Sequence, residues 1–212
     1  MEDTIIVNIG RQLGSGGRQI GERIARRLNL RFYDRELLAL AAEQSGLCTE
    51  LFEKADEKES KGRLATLLGY LRGPFAGDDG GMTNVLSNDA LFKIQSDAIR
   101  RAAAGGSCVF VGRCADYILR DLPQCVNVFV TAAEADRIAR VRARHGWSEE
   151  QARQEMARVD ARRAAYYNYY SDRTWGAASS YHLCIDSSVL GIEGSADFVL
   201  EYVARKLNRK FE

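Results

Sequence analysis

Short apolar runs alternate with longer amphipathic stretches along this chain. The first run, at residues 4–9, is rich in β-branched residues and predicts a strand. Similar runs at 108–111, 126–130 and 183–185 predict three further buried strands. Because strands that alternate with helices form parallel sheets covered on both faces, the order predicts an α/β fold with a mainly parallel sheet flanked by helices.

The helices are predicted from apolar positions that recur every three or four residues. Directly after the first strand, Ile20, Ile24 and Leu28 predict an amphipathic helix. Further helical segments are predicted at 35–45, 49–58, 89–104, 134–170 with a break near 145–147, and 195–207. Between the second and third of these, residues 60–88 are interrupted by glycines and by Pro74, which predicts a mobile connection.

Composition narrows the classes of function. The 212 residues carry 30 Lys and Arg against 29 Asp and Glu, a net charge of +1, and 46% of them are hydrophobic. This length suits one domain. The apolar content argues against disorder, and the near-neutral charge argues against a nucleic-acid or membrane-surface binder. We therefore expect neither nucleic acid nor a membrane as a partner, and the pattern does not specify an oligomeric state.

Two further features of the sequence bear on the cellular compartment in which the protein is expected. No run approaches the roughly 20 apolar residues of a membrane span, and the acidic Glu2 and Asp3 are atypical of a secretory signal. The five cysteines form an odd set with no C-x-x-C pair, so they predict neither a zinc site nor a disulfide framework. A reducing, cytoplasmic setting is expected.

A glycine-rich loop follows the first strand. Gly10, Gly14, Gly16 and Gly17 fall within eight residues. A strand, such a turn and a helix form the arrangement in which backbone N–H groups and the helix dipole bind phosphate. The alternative is a turn that only packs the helix against the strand, and the glycine density favours phosphate binding. A dinucleotide site is disfavoured because G-x-G-x-x-G is not matched.

The loop also departs from the P-loop pattern G-x-x-x-x-G-K-[ST]. With Gly16 as the second glycine, Arg11 takes the first glycine position and Gly17 takes the lysine position. No lysine precedes Lys54, so any cation on a bound phosphate must here be an arginine. Arg11 and Arg18 are the nearest, and the sequence leaves the choice between them open.

An ordered set of five segments covers nearly the whole chain: residues 9–21 (IGRQLGSGGRQIG), 32–38 (FYDRELL), 109–119 (VFVGRCADYIL), 162–176 and 185–193. Together they resemble the cytidylate kinase-like family, a group related to the P-loop nucleoside monophosphate kinases. The resemblance implies a single three-layer P-loop kinase-like domain. Its core would comprise 1–30, 89–133 and 181–212, with a monophosphate-binding insert at about 31–88 and a helical lid at about 134–180.

The resemblance also implies roles for individual residues. Arg158 and Arg162 on the lid would act on the transferring phosphoryl group. From position in the loop, not from the resemblance, we expect Arg11 or Arg18 to stand in for the missing lysine on the same group. Arg113 and Arg137 would bind the acceptor. Asp34 either reads the acceptor or caps the following helix. The positions implied for the phosphate donor are Arg11, Gly14, Ser15, Gly16, Gly17 and Gln19.

Other residues fit two interpretations. Arg140, Arg142, Arg144 and Arg153 fit a solvated helix face as well as they fit a phosphate site. The sequence also departs from cytidylate kinases around the Gly-Arg pair, Gly112-Arg113. Val111 and Cys114, on either side of this pair, replace acids. With the missing lysine, these changes weaken the support for phosphate and Mg²⁺, and no metal-binding residue is predicted.

The expected function is therefore ATP-dependent phosphoryl transfer to a nucleoside monophosphate, CMP or dCMP, with small-molecule nucleotides as partners and Mg²⁺ as a cofactor. One alternative is a P-loop kinase for another small molecule, since this scaffold serves many acceptors. The other is a nucleotide-binding sensor or interaction protein that lost turnover together with the lysine and the acids.

Overall fold

The computed structural model of the protein describes residues 4–34 and 88–211. The helices predicted at 35–45 and 49–58 and most of the connection at 60–88 lie outside the described residues. The chain divides into two compact units, one made of Met1–Phe32 and Ser107–Glu212 and the other of Tyr33–Gly106. The second unit contributes helix α2 below, and the remaining helices belong to the first.

Parallel strands form the centre of the described structure. They are β1 (Ile6–Arg11), β2 (Arg31–Tyr33), β3 (Cys108–Val111), β4 (Cys125–Thr131) and β5 (Leu183–Asp186). Their order in the sheet is β2-β3-β1-β4-β5. The pairs β1–β3, β1–β4 and β4–β5 are parallel. The predicted fold class is thereby confirmed.

Helices connect these strands. They are α1 (Gly17–Arg27), α2 (Asn88–Ala104), α3 (Ala115–Ile118), α4 (Glu134–His145), α5 (Glu149–Ser171) and α6 (Ser187–Lys206). On one face of the sheet, Val7 and Ile9 pack with apolar residues of α1 and α6, such as Ile24 and Val199. Such burial of branched side chains between layers is the main source of stability in this architecture.

The other face of the sheet is aromatic. The Phe129 ring on β4 lies 4.9 Å from the Tyr181 ring, which stacks at 6.0 Å on Tyr167 of α5. Above Phe129 a side chain at Gly10 would not fit, because its Cβ would lie 2.7 Å from the Phe129 ring. Aromatic rings therefore contribute to the packing of the long helix α5 against the sheet.

The predicted break in the arginine-rich region is confirmed. Helix α4 ends at Gly146, whose φ of 71° is the left-handed conformation that favours glycine. Helix α5 begins with a capping box, in which the Ser148 hydroxyl accepts from the Gln151 N–H and the Gln151 side chain accepts from the Ser148 N–H. The two helices can thus pack side by side.

Two element boundaries differ from the prediction. Strand β1 extends to Arg11, because Arg11 still pairs with Val130 of β4. The last helix begins at Ser187 rather than at 195, because the Asp186 carboxylate accepts from the Ser188 N–H at 2.8 Å and caps it. Gly191, with φ 65° and ψ −176°, then interrupts this helix.

In the described part of the chain, none of the helices has the length and apolar character to span a membrane.

Candidate active site

The loop of residues 12–16 joins the carboxyl end of β1 to the first turn of α1. Gln12 donates its N–H to the Val130 carbonyl, and its own carbonyl accepts from the N–H and the hydroxyl of Ser15. Gly14 and Gly16 both have φ of 80°, which L side chains rarely adopt. Gly16 is the N-cap of α1, so the positive end of the helix dipole lies at the loop.

A buried ion pair fixes the outer side of this loop. Asp160 of α5 accepts from the Leu13 N–H at 2.8 Å and from the Arg137 guanidinium. Arg137 in turn donates to the Leu13 carbonyl at 2.7 Å. The side chains of Arg137 and Asp160 are only 11% and 14% exposed. The structure therefore places Arg137, which the family pattern assigned to the acceptor, where it holds the glycine loop between α4 and α5.

A second set of bonds comes from the start of α6. The Ser187 hydroxyl donates to the Ser15 carbonyl at 2.6 Å and accepts from Arg140 at 2.9 Å. Arg140 also donates to the Gly14 carbonyl at 3.3 Å. The carbonyls of the loop are thus bound by neighbouring helices, which leaves the loop preorganised in one conformation.

A cavity of about 120 Å³ lies between this loop and α4. Gly14, Gly16, Gly17 and Gln19 border it together with His145. Arginines dominate the charge of its border, namely Arg11, Arg18, Arg140, Arg144 and Arg163. Its described border contains no carboxylate. Such a concentration of guanidinium groups around a glycine-rich turn fits a polyphosphate, whose oxygens they bind in pairs.

Arg163 lies close to other charged groups of the site. Its guanidinium donates to the Arg11 carbonyl at 3.0 Å and lies 3.6 Å from the Asp160 carboxylate. Burial lowers the pKa of Arg163, the charge of Asp160 opposes this, and the charges of Arg137 and Arg113 lower it further. An anion bound in the cavity would relieve this repulsion between like charges.

The side chain of Arg11 occupies the space that a P-loop lysine would need. A Cβ at Gly17 would lie 2.5 Å from the Arg11 Cβ and 3.1 Å from its Cγ. Further along, a Cβ at Gly112 would lie 2.0 Å from the Arg11 Nη1 and 3.0 Å from its Cζ. The stem of Arg11 therefore crosses the Gly17 backbone, and its guanidinium reaches the turn after β3. Glycine at position 17 is a steric requirement of this path.

The turn after β3 carries the Gly-Arg pair. Three successive residues have positive φ, with values of 78° at Gly112, 61° at Arg113 and 56° at Cys114. Two of them are not glycine, and such backbone strain concentrates at functional sites. Both this turn and the glycine loop follow the carboxyl ends of neighbouring parallel strands, where ligands of α/β sheets bind.

A buried carboxyl group ties this turn to α5. The Tyr167 hydroxyl donates to the Asp116 carboxylate at 2.6 Å. Burial raises the pKa of Asp116, although the Tyr167 bond and the charge of Arg173 oppose the change. The family pattern places an acid directly after the Gly-Arg pair, and sequence reasoning missed Asp116, which lies two residues beyond Cys114.

The remaining predicted residues lie in varied surroundings. Arg18 is half exposed, 3.6 Å from Glu22 and 5.8 Å from the centre of the Phe32 ring. Arg158 bonds Glu155 on the exposed side of α5, and its hydrogen bond lowers the pKa of Glu155. Neither Arg158 nor Arg162 borders the cavity. Asp34 is buried in the second unit, and the helix that it was expected to cap lies outside the described residues.

For several residues of the site, the sequence either left two interpretations open or gave no indication of a role. Arg140 and Arg144 border the cavity, whereas Arg142 donates to the Trp147 carbonyl and Arg153 pairs with acids. The four-residue spacing of Arg140 and Arg144 places them on one face of α4, but the sequence does not show whether that face meets solvent or a ligand. Asp160 and Ser187 were visible only as a helix-face acid and as part of a family motif.

The described residues do not form a cluster of metal ligands. Within 4–34 and 88–211, His, Cys, Asp and Glu side chains do not gather in groups of three that could hold one. In kinase sites Mg²⁺ is usually held by one or two carboxylates together with substrate phosphates and water. The described border of the cavity fits a nucleotide polyphosphate but contributes no carboxylate to such an ion.

Comparison with known proteins gives this geometry a context. The model of the cytidylate kinase-like family matches residues 6–189, which is most of the chain. The chain belongs to the cytidylate kinase-like family. No curated relative matches it. Membership in this family supports a phosphotransferase activity in general terms.

Solved structures resemble this cytidylate kinase-like chain over nearly its whole length. An uncharacterized protein from Eubacterium ventriosum is 25% identical, with a TM-score of 0.70, covering 94% of this chain and 98% of that one. Shikimate kinase from Bacteroides thetaiotaomicron is 14% identical, with a TM-score of 0.52 over 94% and 98%. Shikimate kinase from Acinetobacter baumannii, solved with shikimate, is 10% identical, with a TM-score of 0.53 over 96% and 95%. The two shikimate kinases show that the fold is shared.

The ion pair of Asp160 and Arg137 gives a test of how the loop is held. Asp160→Asn leaves the buried Arg137 charge without its counter-ion, so we expect a loss of about 3–5 kcal/mol in the free energy of unfolding. Urea unfolding measures it. Glu201→Gln breaks the exposed pair with Arg205 and should cost roughly 0–1 kcal/mol. If Asp160→Asn costs no more than this control, the ion pair does not hold the loop.

Proposed function

We propose that the protein transfers the γ-phosphoryl group of ATP to a nucleoside monophosphate, with CMP or dCMP as the acceptor. The observation that carries this proposal is the arginine-bordered cavity at the glycine loop, in which Arg11 covers Gly17. Phosphoryl transfer needs aligned substrates and positive charge over the moving group more than it needs covalent help. The chain supplies that charge with guanidinium groups that are already gathered at the loop.

In this proposal Arg11 replaces the missing lysine as the cation that binds the donor phosphates. Its guanidinium is anchored from the end of β1 and reaches past Gly17 toward Gly112, whereas Arg18 is half exposed beside Glu22. Arg11 then replaces the lysine as the cation of the loop. Because the positive charge needed for phosphoryl transfer is kept, this favours an enzyme over a sensor without turnover. Arg140, Arg144 and Arg163 add charge at the same phosphates, and Gln19 adds a polar side chain.

The acceptor would bind at the turn after β3. Arg113 lies there at a strained backbone position, and its charge acts on Arg163 at the loop. A cation at this turn would bind the acceptor phosphate and help to align it with the donor. In the proposal Asp34 contributes to reading the base, and Mg²⁺ arrives with the nucleotide phosphates.

ADP formation from ATP and Mg²⁺ tests the proposal, with CMP, dCMP, UMP, AMP and GMP offered separately beside a control without acceptor. We expect ADP to form with CMP or dCMP at least about tenfold faster than with the other acceptors, as polar contacts to one base allow. The matching nucleoside diphosphate should appear in equal amount.

Two other outcomes contradict the proposal in different ways. Faster ADP formation with a non-nucleotide acceptor would keep the kinase and reassign its substrate. No turnover with any acceptor, together with an increased melting temperature in the presence of ATP, would favour the nucleotide-binding sensor. The melting temperature therefore separates loss of catalysis from loss of binding.

A further inference from the structure

A second cavity, of about 540 Å³, lies at the opposite edge of the sheet from the glycine loop. Cys125, the first residue of β4, borders it, as does His182 just before β5. Because β1, β4 and β5 are parallel, these amino ends lie at the far edge from the end of β1. The volume lies in the range of small-molecule sites.

Three cations face this cavity from three different segments. Arg120 lies between α3 and β4, Arg173 follows the end of α5, and Lys206 is the last residue of α6. Among the described residues on the border, Asp172 is the single acid. A lysine at the end of α6 stabilises the helix dipole, but that role does not require a place beside two guanidinium groups.

The two guanidinium groups are held by one ring. The Arg120 guanidinium lies 4.2 Å from the centre of the Tyr117 ring and donates to the Tyr117 carbonyl at 2.8 Å. The Arg173 guanidinium lies 5.8 Å from the centre of the same ring. Both guanidinium groups thus contact one aromatic ring, and such contacts position cations before a ligand binds.

His182 adds a hydrogen-bond donor of fixed position. Its Nδ1 accepts from the Asn127 N–H at 2.9 Å, and its own backbone N–H donates to the Asn127 carbonyl at 2.8 Å. Since Nδ1 accepts a hydrogen bond, the neutral ring carries its proton on Nε2. Burial lowers the pKa of His182, and the charges of Lys206 and Arg173, which border the same cavity, lower it further.

We propose that this cavity is a second anion site, which binds a phosphate-bearing small molecule through Arg120, Arg173 and Lys206. It is separate from the arginine-bordered cavity at the glycine loop and does not depend on the phosphoryl transfer proposed there. The cations would bind the phosphate oxygens, and the remaining volume would take the rest of the ligand beside the Tyr181 side chain.

The two histidines of the chain make the two cavities separately observable, because His145 borders the first and His182 the second. We would titrate the full chain with pyrophosphate, and separately with inorganic phosphate, at constant ionic strength. Long-range ¹H–¹⁵N NMR spectra follow the two imidazole rings, assigned with His145→Gln and His182→Gln. We expect a saturable shift of His182. Tighter binding of pyrophosphate identifies a diphosphate ligand, and equal binding identifies a single phosphate group.

The decisive variant is Arg173→Gln with Lys206→Gln, which changes only exposed or half-exposed side chains. We expect its His182 response to require at least about tenfold more pyrophosphate, as lost charge-assisted bonds imply, while the His145 response is unchanged. Arg153→Gln with Arg205→Gln removes the same charge from α5 and α6 at positions that do not border the cavity. No shift of His182, or an equal loss in this control, overturns the proposal. A response of His145 alone overturns it while leaving the function proposed for the glycine loop intact.

Discussion

Arg11→Met is expected to reduce kcat for phosphoryl transfer by roughly 10²–10³, the usual effect of removing one preorganised donor from a transition state. Methionine keeps an unbranched apolar stem over Gly17 and removes only the guanidinium. The contribution of charge is thereby separated from that of packing. Initial rates with saturating ATP and CMP measure the effect.

Arg18→Met is the matched control for this variant. Arg18 borders the same cavity but is half exposed and lies 3.6 Å from Glu22. We expect kcat to fall less than about tenfold, because a screened surface cation stabilises bound charge weakly. The reverse result, with Arg18→Met the more damaging, would assign the part of the lysine to Arg18. Melting temperatures of both variants confirm that each is folded.

Replacing both Arg158 and Arg162 with alanine is expected to reduce turnover by about 10³ or more, the range known for arginines that stabilise a transferring phosphoryl group. In the described structure Arg158 bonds Glu155, so the role that the family resemblance implies requires it to leave that partner when nucleotide binds. Exposed pairs of this kind are weak, and alanine favours helices, so the fold should be retained.

Arg153→Ala is the control for these two substitutions. Arg153 lies on the same helix and pairs with Glu149 and Glu134 on the exposed surface. Its turnover should equal that of the unchanged protein. If the double variant also keeps full turnover, the role that the family resemblance implies for Arg158 and Arg162 is wrong. The charge on the phosphoryl group would then have to come from Arg140, Arg144 and Arg163, which already border the cavity.

Most of the fold follows from local pattern. The β-branched runs predict their strands because short, continuous apolar runs are typical of strands buried on both faces of a parallel sheet. The start of the last helix did not follow, since it depends on the Asp186 carboxylate capping a turn that Gly191 then interrupts. A cap and a break so close together obscure the periodicity of the residues between them.

The candidate site could likewise be predicted from the sequence only in part. The glycine loop is visible because its residue types are tied to backbone conformation, as at Gly14 and Gly16. Arg163 and Asp160 were not singled out, because their importance depends on how α5 packs against the loop. An arginine on a helix looks the same in sequence whether it meets water or phosphate. Only the fold distinguishes Arg144 at the cavity from Arg153 at the surface.

The path of Arg11 across Gly17 also limits how this loop can change over evolutionary time. A lysine introduced at position 17 alone would collide with the Arg11 stem, whose Cβ lies 2.5 Å from the space of the new Cβ. A chain that first loses Arg11 has neither Arg11 nor a lysine at the loop, although Arg18, Arg140, Arg144 and Arg163 still border the cavity. The lysine form and the arginine form of the loop therefore differ by two substitutions, and the intermediate between them is either sterically crowded or lacks this one cation.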